Sequence, residues 1–255
     1  MPYQLAIKDI ELFEQLNQLI DSPHRSHLTI TQLTSEAKKL LESNNSIDGY
    51  MALGTLASLN GHIQSIHTNY QRAMTLSPMN SIVIANYAIS LGRVGYFSQA
   101  ADLMLEANYL SKERWIHLGD ALYFCGIAGR FHQANRLLEV WHKIYPHHSH
   151  RLGELSTEMV EFMDEKRVND SELERLIIIA LSVLHQHTIY IGAHHVQMSL
   201  LKEHQPGWFH YGILVPQSVD RVIDLDFEFT DKVKNSSFQK NVRDYFKPVF
   251  EAIGG

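Results

Sequence analysis

The stretch SLGRVGYFSQAADLMLEANYL, residues 90–110, sets Gly95 ahead of Tyr96 and Phe97 and then places Ala100 early in a run with helical spacing. A glycine there suits a tight turn between two antiparallel helices, because a left-handed backbone costs glycine little. Ala100 then reads as the point where the second helix crosses the first closely. A hairpin that cannot bury its own apolar face is normally stacked on copies of itself, so the chain should repeat. Gly61, Gly95 and Gly129 stand 34 residues apart. In the same register come Ile63, Phe97 and Phe131, then Ile66, Ala100 and Ala134, then Tyr70, Met104 and Leu138. Upstream of the glycines, Tyr50, Ile84 and Leu118, then Leu53, Tyr87 and Ala121, then Ala57, Leu91 and Cys125 lay an apolar stripe on a first helix. Pro78 and Pro146 end the first and third units, where a helix cannot continue, and Lys112 stands at that place in the second.

These columns resemble the tetratricopeptide-repeat family, with units at 47–80, 81–114 and 115–148. The first unit carries the pattern best, in Leu53 with Gly54, Tyr70 with Ala73, and Pro78. Ile66 and Trp141 depart from it where the family prefers alanine, and their bulk is expected to push neighbouring helices apart. The resemblance implies a mainly α, helical-hairpin solenoid whose first helices line a concave groove. It assigns that groove to Met51, Thr55, Ile82, Asn86, Ile89, Arg93, Ile116, Asp120, Tyr123 and Ile127. Asn86 matches one asparagine of the clamp by which some family members grip a peptide's terminal carboxylate. Met51, Thr55, Ile116 and Asp120 replace its other members, so an adaptor for chaperone tails is not expected.

Residues 1–46 read as capping helices: Leu5, Ile10, Phe13, Leu16, Leu19 and Ile20 on the first, and Leu40 with Leu41 on a second capped at Thr34 or Ser35, joined by a DSPHRSH loop. Residues 149–190 read as a degenerate fourth hairpin, with Leu152, Leu155, Met159 and Phe162 on one helix and a capping box of Ser171 with Glu174 opening the next. Residues 191–255 read as a small α+β appendage. A helix is expected from about His194 to His204, then a strand WFHYGILV at 208–215. Alternation of Ile223, Leu225, Phe227 and Phe229 with Asp224, Asp226 and Glu228 predicts a second strand, paired with the first in an antiparallel hairpin through 216–220. A last helix carrying Phe238, Val242, Tyr245, Phe246 and Phe250 is expected to bend at Pro248.

The formal charge of -6 and pI near 6.2 argue against a long-range field that gathers nucleic acid. One cysteine and an opening segment without a basic, then apolar, leader fit a cytoplasmic protein. The most apolar run, Leu173 to Leu184, is too short to span a bilayer, which needs about 20 residues. His147, His148 and His150, or His185, His187, His194 and His195, could supply metal ligands, but solvated or core-edge roles are the expectation. Neither a phosphate-binding glycine loop nor a Gly-x-Ser-x-Gly elbow occurs. The acidic row Asp220, Asp224, Asp226, Glu228 and Asp231 is a solvated strand face or an edge that docks a basic partner.

The expected function is therefore a non-enzymatic protein-interaction scaffold without cofactor or metal, holding a partner protein or peptide in the groove. Asp224, Asp226 and Glu228 would form a second contact strand. A dedicated neutraliser of one partner, such as an antitoxin or immunity protein, or a chaperone, falls within that class, and a homo-oligomer is compatible with it. The alternative is an RNA- or nucleotide-binding helical-repeat protein that uses Tyr123, Arg93 and Arg130.

Overall fold

Apolar residues at positions 12, 13, 16 and 19 give the first helix, α1 (Ile10–Asp21), one water-averse side, and all four side chains are buried. In the computed structural model the described residues are 10–21, 26–43, 45–113, 115–202 and 207–253. Leu5, residues 22–25 of the expected loop, and residues 203–206 lie outside them. The described chain is mainly helical, with a small three-stranded sheet near its C-terminal end. It divides into two compact units, one running to Val94 and including Asp102–His117, the other comprising Gly95–Ala101 and Leu118 onward.

In the first unit, α2 (His27–Leu41) packs on α1 and on α3 (Ser46–Leu59), and α3 packs on α4 (Ile63–Leu76) and α5 (Ser81–Gly92). Helix α2 begins after Ser26, so Thr34 and Ser35 do not cap it; the Thr34 hydroxyl donates to the Ile30 carbonyl one turn back. Small residues let α3 be approached closely. A β-carbon at Gly49 would lie 2.9 Å from the Ala37 carbonyl oxygen, and one at Gly54 only 2.5 Å from the Tyr70 ring. Tyr70 is fully buried and its hydroxyl is 2.9 Å from both Thr55 Oγ1 and Ser90 Oγ, so a polar head placed in the core is paired on two sides.

The second unit holds the start of α6 (Phe97–Leu110), then α7 (Leu118–Ile127), α8 (Phe131–Ile144), α9 (Gly153–Lys166) and α10 (Asp170–Gln186). Gly61, Gly95 and Gly129 all take left-handed backbones, with φ of 66°, 83° and 84°, each in the short link between consecutive helices. Trp141 packs on α7 at a glycine. It lies against Gly119, where a β-carbon would come 3.0 Å from the indole, so the room it needs comes from a missing side chain. Helix α10 opens on a capping box of Asn169 with Glu172, not Ser171 with Glu174. Glu174 is taken instead by Arg130, whose Nε and Nη2 lie 2.8 and 2.5 Å from one carboxylate oxygen.

The C-terminal elements differ from the sequence expectation in three places. Residues expected as a helix near His194 form a 3-10 turn at Ala193–His195 and then strand β1 (Val196–Leu201). Residues 220–231, expected as a strand, lie in a helix, α11 (Val219–Lys234), capped by the Ser218 hydroxyl accepting from Arg221 N–H. The expected last helix stops after α12 (Lys240–Tyr245) and continues as strand β3 (Phe246–Ala252), with Pro248 inside it. The expected strand β2 (Trp208–Val215) is central in the order β1-β2-β3, antiparallel to β1 and parallel to β3, so no hairpin runs through 216–220. Phe209, Tyr211, Ile213 and Val215 alternate along β2 and are buried. The Tyr211 hydroxyl donates to the Ile127 carbonyl at 2.6 Å, satisfying an acceptor at the end of α7 that has no partner within the helix.

Candidate functional site

Most of α5 is closed to solvent: Val83, Ile84, Ala85, Tyr87, Ala88, Ser90, Leu91 and Gly92 are all buried. Beyond Ser81 at its start, the positions left partly open are Ile82, Asn86 and Ile89, followed by Arg93 at the C-cap. Steps of four, three and four residues keep these on a single line of a helix. The line is apolar with one amide, and it ends on a cation where the helix dipole favours one. Asn86 Nδ2 donates to the Ile82 carbonyl at 2.8 Å, which lays the amide along the helix.

Helix α7, in the second unit, is open at Gly119, Asp120 and Tyr123, with Ile116 47% exposed in the first unit just before the helix. The Arg151 guanidinium sits 3.1 Å from the centre of the Tyr123 ring, and the Tyr123 hydroxyl donates to the Ala193 carbonyl. One Asp120 oxygen is buried without a hydrogen bond. Burial pushes the Asp120 carboxyl up to about 7, while the nearby Arg151 pulls it down. His150 accepts from Leu152 N–H at Nδ1, which leaves Nε2 to donate to the Gly119 carbonyl at 3.0 Å; burial lowers its pKa and keeps the ring neutral. Together these groups offer a carboxyl that can switch protonation near neutral pH and an aromatic–cation stack.

Three residues assigned to the groove belong to the core instead. Met51 is 2% and Thr55 5% exposed, the latter because its hydroxyl pairs with Tyr70. Ile127 is 1% exposed, at the end of α7 where its carbonyl accepts from Tyr211. Ile82, Asn86, Ile89, Arg93, Ile116, Asp120 and Tyr123 keep open surface. Arg151 was not legible as a site residue, and His150 was considered only as a metal ligand, because both reach α7 from the segment ahead of α9. The only hint was the unusual run HHSHR at 147–151.

Asp224, Asp226 and Glu228 form no strand edge. Asp224 is exposed, Asp226 accepts from Phe250 N–H at 3.2 Å, and Glu228 is paired with His187 at 2.7 Å. Among the described residues no three His, Cys, Asp or Glu side chains gather as a metal site would require. Of the histidines nominated as ligands, the His185 ring stacks on Tyr96 with centroids 4.4 Å apart, while His194 and His195 lie against each other. Cys125 is buried on α7. No helix among the described residues is long and apolar enough to cross a membrane. Comparison of the chain with protein-family models, with curated proteins and with solved structures finds no match.

Proposed function

We propose that this chain is a tetratricopeptide-like, non-enzymatic interaction protein of the cytoplasm that holds a segment of a partner protein against its helical hairpins. The observation that carries the reading is α5, which beyond its first residue is open only at Ile82, Asn86 and Ile89, with Arg93 following at the C-cap, the line that the repeat register assigns to partner contact. Apolar positions spaced along a rigid helix, with one amide for register, suit a peptide side-chain row better than a small polar substrate. The rival RNA reading is weakened at its own residues. Arg151 covers a face of the Tyr123 ring that base stacking would use, and Arg130 is committed to Glu174 and the Ser98 carbonyl.

The test is affinity purification from native lysate with wild-type protein and with Ile82→Glu/Ile89→Glu, followed by quantitative mass spectrometry. The reading expects a protein recovered near one-to-one with the wild type and lost with the variant. Recovery of the same proteins by both, or of RNA lost at raised salt, would refute it. A partner that is toxic when expressed alone would make the protein a dedicated neutraliser.

A further inference from the structure

Helix α11 carries two apolar stripes. Val222, Leu225 and Phe229 are buried at 5%, 0% and 9% exposure. Val219, Ile223 and Phe227 follow one another at four-residue steps and stay 53%, 46% and 68% exposed. Side chains so spaced share one line of a helix, here about 12 Å long. A contiguous exposed row of this kind marks a contact surface, whereas scattered apolar residues need no account.

The surroundings of the row specify its occupant. Along one flank run Asp220, Asp224 and Asp231. Their contacts to cations, Arg221 to Asp224 at 3.9 Å and Lys234 to Asp231 at 3.5 Å, are solvent-exposed, so a partner's cations can replace them at little cost. Toward the other flank, Asp226, Thr230, Val233 and Lys234 of α11 line an open cleft of about 430 Å³, whose walls include Leu176, Phe246 and Val249 together with Arg243 and Lys247, so only an apolar side chain suits the cleft and an occupant's cations belong on the Asp220 flank. The outer edge of β3 is closed to strand addition. Phe246 N–H is taken by the Val242 carbonyl, Pro248 has no N–H, and Phe250 N–H is taken by Asp226. A ligand here must dock through side chains rather than as an added strand.

We propose that this face of α11 docks an amphipathic, basic α-helix of another protein. Its apolar side chains would lie along Val219, Ile223 and Phe227, with one entering the cleft, and its lysines or arginines would face Asp220, Asp224 and Asp231. A second copy of this chain is a poor occupant. Antiparallel helices paired about a twofold set like flank against like flank, and here that opposes carboxylate to carboxylate. The site is on a different helix from the open lines of α5 and α7, and it stands or falls separately from them.

The probe is a synthetic amphipathic peptide of leucine and lysine, with leucine at three- and four-residue steps, and a control peptide in which glutamate replaces lysine. Binding to the full chain is followed by fluorescence anisotropy across a salt series. Ile223→Ser/Phe227→Ser should weaken the lysine peptide by about tenfold or more, as loss of apolar anchors does. Asp220→Asn/Asp224→Asn/Asp231→Asn should flatten the salt dependence, and Ile82→Glu/Ile89→Glu should change neither. All substituted side chains on α11 are exposed, and circular dichroism checks that each variant folds. The proposal is overturned if the glutamate peptide binds as well, if Ile223→Ser/Phe227→Ser leaves the affinity unchanged, or if sedimentation shows a dimer that this variant dissolves.

Discussion

Replacing Gly129 by alanine probes the turn that the repeat register depends on. Its φ of 84° costs an L-residue about 1–2 kcal/mol. Alanine returns about 0.4–1 kcal/mol by stiffening the unfolded chain. The larger effect is steric, because the new β-carbon would sit 2.8 Å from Ile177 Cδ1, 3.0 Å from Leu173 Cγ and 3.2 Å from the backbone nitrogen of Glu174. Ile177 can rotate away, but the backbone of α10 cannot, and overpacking of this kind adds about 1–3 kcal/mol. The net loss should be about 1–5 kcal/mol, a fall in melting temperature of roughly 2–20 °C for a chain of this size. Ile177→Val removes the nearest atom, so Gly129→Ala/Ile177→Val should be less destabilised than the two single changes summed, by about 0.5–1 kcal/mol. Gly95→Ala, with its nearest contacts at 3.1 Å to His185 Nε2 and 3.3 Å to the Ile191 carbonyl, should cost less. Urea unfolding with hydrogen exchange of α7–α10 reads the wild type and all four variants. A Gly129→Ala variant as stable as the wild type, or strictly additive losses in the double variant, would refute the reasoning.

Helix and strand readings of residues 219–234 separate cleanly: Leu225→Ala should cost about 2–5 kcal/mol in urea unfolding, while Phe227→Ala, at 68% exposure, should stay within about 0.5 kcal/mol. A strand would put both side chains on one face and make both changes costly. His132 is bonded at Nδ1 to Asp170 (2.9 Å) and at Nε2 to Asp164 (3.0 Å); burial lowers its pKa, but these carboxylates outweigh burial and raise it. Its stabilisation is therefore complete below the ordinary value of 6.5 and is lost as pH rises through the folded value, so melting temperature should fall toward alkaline pH and His132→Gln should flatten that fall. Asp120, raised by burial from 3.8 to about 7, works in the same direction at lower pH, since the fold favours the protonated form and loses that preference as pH rises between those values. Asp120→Asn should remove the decline over about pH 4–7, and NMR titration of the Asp120 carboxyl should place its midpoint near 7.

Periodicity alone located the helices between Ser46 and Ile144 and the glycine links at Gly61, Gly95 and Gly129, because apolar spacing and a glycine at each break are local signals. It also identified β2, whose apolar and aromatic run is bounded by turn residues. Residues 219–234 were opaque for a definite reason. Apolar positions at 223, 225, 227 and 229 alternate with acids, yet 225 and 229 serve a buried stripe of a helix while 223 and 227 belong to a second, exposed one. Two apolar stripes on a helix imitate a period of two, and only what packs beneath α11 distinguishes them. The same holds for Met51, Thr55 and Ile127: register assigned them to an open face, and the Tyr70 hydroxyl at Thr55 and the Tyr211 hydroxyl at Ile127 mark where packing closed it. The sequence by itself determined the helices of this stretch and their glycine turns, since backbone conformation and local periodicity are written residue by residue. Which faces stay open, which carboxyl is buried beside Arg151, and that Pro248 lies in a strand were decided only by tertiary packing, because each depends on atoms that are distant along the chain.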